Sequence, residues 1–221
     1  VTVTAVVPAH NEEGSVGAAV AALRGAGLEQ VLVVDDGSTD GTGPEARRAG
    51  AVVVRLPRRQ GKAAALAAGV SRAHGDVVLL VDADLGPSAG AAAALAAAVA
   101  AGHCDLAVGR LPRKARGGGW GLAVRLAQGA LRRAGGPLLE TPLSGQRACR
   151  RELLLSLPTW GVGYGVEMAI NLHALRSGAR IREIDIDAGH RVTGRDLPGV
   201  LHRGRQFVDI ALTLALWSLV R

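Results

Sequence analysis

Val77-Val-Leu-Leu-Val-Asp-Ala-Asp84 is a run of five apolar residues leading straight into two carboxylates one position apart, with Gly75-Asp76 before it and Gly86-Pro87 after it. A short Val-rich apolar run between turn residues reads as a strand buried on both faces, as in parallel sheets. Carboxylates at its end would lie at the carboxyl edge of the strands, where open α/β sheets bind ligands. Close carboxylates repel one another. Mg²⁺ or Mn²⁺ takes oxygen ligands of this kind and usually shares its shell with substrate phosphates. The alternative is a strand ending in a solvated turn, where Asp is common in any case.

Outward from this stretch, β-like and α-like segments alternate. Val1–Val7 reads as a strand stopped by Pro8-Ala-His-Asn-Glu-Glu13, and Ser15–Arg24 carries apolar residues at helical spacing. Val31–Val34 and Ala51–Leu56 read as strands flanking a helix at Gly43–Ala49, and Ala63–His74 and Ser88–Ala101 as Ala-rich helices. Leu106–Gly109 is a further strand, after which residues 110–119 are Gly-rich and basic and read as a loop. Helices are expected at Leu122–Ala134, Arg151–Leu157 and from Glu167 to near Gly178, and a strand at Arg180–Ile186. This alternation predicts a single α/β domain, with a mostly parallel central sheet flanked by helices.

The bulk composition narrows the partners. At 221 residues the chain fits one domain, and its 48% hydrophobic content supplies a core in which Leu, Val and Ala do the packing, since aromatics are only 2%. A net charge of +7 points to an anionic partner. Nucleic acid is disfavoured, because the basic residues are not interleaved with stacking aromatics and no helix-turn-helix or zinc-finger spacing occurs. Cys104 and Cys149 form no C-x-x-C pair, which fits a reducing, cytoplasmic setting. The chain opens directly on a strand pattern, so no signal peptide is expected.

Three more motifs follow predicted strands. Asp35-Asp-Gly-Ser-Thr-Asp40 can accept hydrogen bonds from a base N–H or from ribose hydroxyls, or else forms a tight turn that caps the next helix. Gly61-Lys62 at a helix start can hold a diphosphate through backbone N–H groups and a point charge. It is not a Walker A loop, and no G-x-G-x-x-G follows the first strand. Taken in order, Pro8-Ala-His-Asn-Glu12, Val34-Asp-Asp-Gly-Ser-Thr-Asp40, Gly61-Lys62, Asp82-Ala-Asp84 and Leu143-Ser-Gly-Gln-Arg-Ala148 resemble family-2 glycosyltransferases of the GT-A fold. The resemblance covers most of residues 1–190. It implies a donor half at residues 1–109, an acceptor half at 110–196 and a C-terminal apolar helix at 197–221.

By that likeness Pro8, Ala9, Glu12 and Asp36 contact the nucleoside of a UDP- or GDP-linked sugar, and Lys62 faces its diphosphate. Asp82 lies near ribose or metal, Asp84 ligates a Mg²⁺ or Mn²⁺ ion and counts as catalytic, and Ser144, Gly145 and Arg147 lie on the acceptor side. Glu167, after Gly161-Val-Gly-Tyr-Gly165, resembles the acidic residue of polyprenyl-phosphate sugar transferases and glucosyl-3-phosphoglycerate synthases. The glycine run would let backbone approach the sugar. The usual Glu-Asp pair of inverting members is missing, so Glu167, also counted as catalytic, is read as orienting donor or acceptor, against the plain alternative of a first-turn helix Glu. His190 stands where some relatives place a third metal ligand, and Arg191, Arg195 and Arg203 are phosphate clamps or a solvated basic face.

The expected activity is metal-dependent sugar transfer to a phosphate-bearing acceptor, either a polyprenyl phosphate or an acid such as 3-phosphoglycerate. Two other classes stay open. A nucleotidyltransferase would carry a Gly-rich basic loop after the first strand, where this chain has Pro8–Glu13. A non-catalytic nucleotide-sugar-binding protein shares every donor motif. Phe207–Val220 is almost wholly apolar with Asp209 as its lone charge, and a 14-residue helix is roughly 21 Å long, short of a bilayer core. Packing onto the domain is expected, with contact to the inner membrane face through residues 203–220 and a homodimer contact as the other two readings.

Overall fold

The computed structural model describes residues 1–112 and 121–189 and the helix backbone of 197–219, with side chains from 207 to 218 in that helix. Seven strands form one sheet in the order β3-β2-β1-β4-β6-β5-β7. They are β1 (Val3–Ala9), β2 (Gln30–Asp35), β3 (Val52–Arg55), β4 (Val77–Leu80), β5 (Leu106–Arg110), β6 (Arg147–Arg150) and β7 (Ile181–Asp185). β1, β2, β3 and β4 pair in parallel, as do β5 and β7, while β6 runs antiparallel between β4 and β5. The sheet is mostly parallel, as expected. The antiparallel β6 is an addition, since residues 143–148 were read only as the approach to a helix.

The strands alternate their side chains between two cores, because successive residues of a strand point to opposite faces. Ala5, Val7, Val31, Val33, Val77 and Leu79 pack against α1 (Val16–Gly25), α2 (Thr42–Arg48) and α4 (Ala93–Ala100). Val6, Leu32, Val34, Val78, Leu80 and Val108 pack against α3 (Lys62–Arg72), α5 (Leu122–Arg133), α6 (Arg151–Leu155), α7 (Val166–Arg176) and α8 (Leu197–Leu219). Gly69 lets α3 lie close on the sheet, since a Cβ there would stand 3.0 Å from Val34 Cγ2 and collide with Val6. Cys104 and Cys149 are free thiols in these cores, and burial pushes the Cys149 thiol up to about 12.

Two boundaries differ from expectation for clear reasons. β1 runs through Pro8 to Ala9; its pairing with β4 ends at Val6, while the pairing with β2 continues to Ala9↔Asp35. A proline is tolerated where no ladder hydrogen bond is required of it. After β4 the chain enters a 3₁₀ segment at Ala83–Ala92, kinked at Gly86 (φ +49°) before Pro87, and only then α4. Ala83–Ala100 is long and apolar enough to cross a membrane by composition, yet 44% of it is buried, and its 3₁₀ part lies within the core shared with α1.

Helix α8 starts at Leu197, where the expected C-terminal helix begins, ten residues ahead of the apolar run at Phe207, with Pro198 in its first turn, where a missing N–H costs nothing. Asp209, Ile210, Thr213 and Trp217 are buried against the domain. Arg176 stacks on the Trp217 ring at 4.8 Å and donates to Trp217 O at 2.8 Å. Phe207, Val208, Leu212 and Leu216 remain exposed on the other face, on which the membrane and dimer expectations rest.

Candidate active site

The strand ends converge as the alternating pattern predicts, and the first two loops are stitched together. The Asn11 N–H donates to Ser38 Oγ at 3.0 Å, Asn11 Oδ1 accepts the Thr39 N–H at 2.9 Å, and the Glu12 N–H donates to Thr42 Oγ1 at 2.8 Å. Asn11 takes a left-handed conformation (φ +54°), which Asn tolerates better than most residues. Within the second loop Asp35 is fully buried; it accepts the Ser38 N–H at 2.8 Å and pairs with Arg55 at 3.0 Å. Asp35 is therefore the turn-former of the two.

Asp36 has a different task. Its oxygens accept the Gln60 N–H at 2.6 Å and the Gly61 N–H at 2.7 Å, so it holds the basic loop that begins α3. It is 4% exposed, and an ionised carboxylate keeps lone pairs for further donors. Pro8 and Ala9 end β1 beside it, with Ala9 O accepting the Asp36 N–H at 2.8 Å. Glu12 is half-buried and accepts from Ser15 Oγ at 2.8 Å.

Lys62, the first residue of α3, joins two of the expected groups. Its Nζ lies 2.8 Å from Asp82 Oδ1 and 3.0 Å from Glu167 Oε1. Burial disfavours the ammonium, but the two carboxylates outweigh this and raise Lys62 above the ordinary lysine range. Lys62 is a fixed positive charge at neutral pH. Glu167 reaches it from the first turn of α7, where the helix dipole also favours an anion.

The Leu143–Ala148 segment enters because β6 is antiparallel and so starts at the edge where β4 ends, with Leu80 opposite Arg147. Gly145 lies against Asp82, where a methyl group would collide with the carboxylate. Gln146 clamps the same residue twice: its Nε2 donates to Asp82 Oδ2 at 3.2 Å, and its Oε1 accepts the Asp82 N–H at 3.0 Å. Sequence reasoning passed over Gln146. Its only signal is an amide side chain at a strand mouth, beside an acidic motif in space but not in sequence.

Arg147 corrects an expectation. Read as an acceptor-side residue, it is 1% exposed, and its guanidinium donates to Ser144 O at 2.6 and 3.0 Å, Pro142 O at 3.3 Å, Glu167 O at 3.2 Å and Asn171 Oδ1 at 3.0 Å. It ties β6 to α7. Ser144, also named for the acceptor side, is buried and accepts the Gln146 N–H at 3.3 Å. The glycine run before Glu167 has a neighbour the sequence did not name: Gly161, Gly163 and Gly165 allow α8 to come close.

A divalent cation would find Asp82 and Asp84 just past β4, at the start of the 3₁₀ segment and both half-buried. Hard carboxylate oxygens are the donor type Mg²⁺ and Mn²⁺ prefer. Among the described residues no group of three His, Cys, Asp or Glu side chains gathers for a metal, and the expected third ligand, His190, lies outside them. Arg191 and Arg195, the side chain of Arg203 and most of the 110–119 loop likewise lie outside the described residues.

Residues 4–155 match the family described as Glycosyl transferase family 2. An uncharacterized glycosyltransferase of Mycobacterium tuberculosis is 34% identical over 221 residues, which is 99% of this chain and 97% of that protein. The glucosyl-3-phosphoglycerate synthase of Mycolicibacterium paratuberculosis is 34% identical over 194 residues, covering 76% of this chain but only 58% of the synthase. The crystal structure of the M. tuberculosis glucosyl-3-phosphoglycerate synthase, in complex with Mn²⁺, UDP-glucose and phosphoglyceric acid, superimposes with a TM-score of 0.79 at 30% identity. That superposition covers 96% of this chain and 78% of the synthase chain.

Proposed function

The chain belongs to glycosyl transferase family 2, and from that premise we propose that it moves glucose from UDP-glucose to a small phosphate-bearing acid of the 3-phosphoglycerate kind, with Mn²⁺ or Mg²⁺. One observation carries the reading: Lys62 brings the D-x-D carboxylate Asp82 and the α7 carboxylate Glu167 to one point at the carboxyl edge of the sheet. The likeness to a synthase structure holding Mn²⁺, UDP-glucose and phosphoglyceric acid supports the choice of substrates.

In this reading residues 1–109 bind the donor and residues 110–196 the acceptor, in one catalytic unit closed by α8. Pro8, Ala9, Glu12 and Asp36 line the nucleoside end, Asp36 also fixing the Gln60-Gly61 turn that presents Lys62. Asp84, with Asp82 beside it, would hold the cation, which supplies positive charge to the diphosphate as the glycosidic bond breaks. Lys62 offers its fixed charge to the same diphosphate, where negative charge develops. Glu167, released from part of that pair, accepts from sugar hydroxyls and orients the anomeric carbon. In an acid of the 3-phosphoglycerate kind the attacking group is the free hydroxyl; as its oxygen bonds the anomeric carbon and the sugar–diphosphate bond breaks, its proton can pass to an oxygen of the departing diphosphate, so no strong general base is required of Glu167.

A thermal-shift panel of UDP, GDP, CDP and dTDP with and without Mn²⁺ tests the donor site. Saturating UDP at 100 times its dissociation constant stabilises the fold by about 2.7 kcal/mol. Metal-dependent stabilisation by UDP, followed by glucosyl transfer to 3-phosphoglycerate, is the expected result. No stabilisation by any nucleoside diphosphate would refute it.

A further inference from the structure

The apolar part of α8 carries one charge, Asp209, and that charge is buried. Its Oδ2 accepts the Tyr164 N–H at 3.2 Å. One turn later Thr213 Oγ1 accepts the Val162 N–H at 3.0 Å and donates to Asp209 O at 2.8 Å. Both amides belong to the turn that opens α7, which continues through a 3₁₀ step at Gly163–Gly165. The glycines there have one shared reason. A methyl group at Gly163 would strike the Asp209 carboxylate, one at Gly165 the Thr213 hydroxyl, and one at Gly161 would come within 3.0 Å of Thr213 Cγ2. Alternate residues of Gly161-Val-Gly-Tyr-Gly165 thus form a bare seat for two polar side chains of α8.

Glu167 lies two residues beyond that seat, and its carboxylate must meet Lys62 Nζ across 3.0 Å. The direction of a first-turn side chain is set by where its helix starts and at what angle. We propose that Asp209 and Thr213 are positioning residues: by binding the Val162 and Tyr164 amides they fix the start of α7, and through it the aim of Glu167 at the donor site. This rests on the reading of Glu167 as a group that faces the donor. Misplacing such a group by about 1 Å costs on the order of 100-fold in rate.

The experiment compares Thr213→Val, which keeps shape and removes the hydroxyl, with Thr213→Ser, which keeps the hydroxyl. Donor KM, kcat, melting temperature and amide hydrogen exchange at Val162 and Tyr164 are measured for each. The Val variant is expected to lose roughly tenfold or more in kcat with donor KM within about twofold. Its two amides exchange faster, and Thr213→Ser restores both kcat and protection. Asp209→Ala and its conservative partner Asp209→Asn repeat the comparison from the other bond, should Thr213→Val fail to fold. Wild-type kcat in Thr213→Val, or equal losses in the Ser and Val variants, would overturn the proposal. Unchanged exchange at both amides would overturn it whatever the turnover. Glu167→Gln with wild-type kcat would instead overturn it through Glu167, leaving the seat itself visible in the exchange data.

Discussion

Arg147→Met separates a scaffold arginine from an acceptor-binding one. The substitution keeps most of the buried stem and removes five donated hydrogen bonds. Not every acceptor suffers equally. Pro142 O still accepts from Asn171 Nδ2 at 2.8 Å, and Glu167 O lies within α7. Ser144 O loses two donors and Asn171 Oδ1 loses one. Two stranded buried acceptors cost about 1–3 kcal/mol each, so roughly 2–6 kcal/mol together. Against this, removing a fully buried cation relieves a desolvation cost, the same cost that lowers the Arg147 pKa. The net is a loss of about 2–4 kcal/mol, which at this chain length lowers the melting temperature by roughly 5–15 °C. Urea denaturation and a melting scan read it directly. A variant that melts within about 2 °C of wild type while losing acceptor affinity would refute the scaffold role and return Arg147 to the acceptor site.

Lys62→Met leaves Asp82 and Glu167 facing each other without a cation; UDP affinity in Mn²⁺ should fall about 10-fold or more, as for a charged hydrogen bond, and calorimetry would show it. The Lys62 pKa is raised, so its contribution to stability is complete below pH 10.5 and is lost only as pH climbs beyond that, leaving stability flat through this group from pH 6 to 9. The Asp105 pKa is depressed, first by its hydrogen bond from Arg180. Its contribution, about 1 kcal/mol after allowance for the exposed arginine partners, is present above pH 3.8 and is lost as pH falls through the depressed folded-state value; the deficit of Asp105→Asn against wild type should be full at pH 7 and narrow steadily below pH 3.8 in urea titrations. Gly69→Ala pushes a methyl group into Val6 and Val34 and should cost about 1–3 kcal/mol, whereas an unchanged denaturation midpoint would show that α3 can move off the sheet.

Most of the parallel half was legible because its strands are uninterrupted apolar runs that end in motif residues. Val31–Asp35 and Val77–Asp84 declare both strand and strand end. β6 was not legible. Arg147-Ala-Cys-Arg150 has neither β-branched residues nor a clean alternation, and its arginine is held in part by Asn171, which lies 24 positions away in sequence. The site followed the same rule. Asp82 and Lys62 were named from their own motifs, but the ion pair that unites Lys62 with Glu167 spans 105 positions of sequence. The glycines before Glu167 showed that something must come close, without saying that it is α8. Asp209 was visible as an anomaly in an apolar helix, and its partner was not.

The place of β6 also sets an order of assembly. Strands β1 to β4, synthesised before β5 and β6, form a contiguous β3-β2-β1-β4 half within residues 3–80. Its inner border is Val77–Leu80, wholly buried in the finished protein. β5 is made next but cannot join that border, because its place in the sheet lies beyond β6. Until Arg147–Arg150 have been synthesised, the nascent chain therefore carries an unpaired, aliphatic strand edge, the kind of edge that templates aggregation. Arg147 and Arg150, the two ends of β6, close this seam late, and Leu80 pairs with Arg147 where β4 runs out toward Asp82. The last strand needed to quench a misfolding hazard is thus also the one that delivers Gln146 to Asp82, so a chain escapes the hazard only as it completes its site.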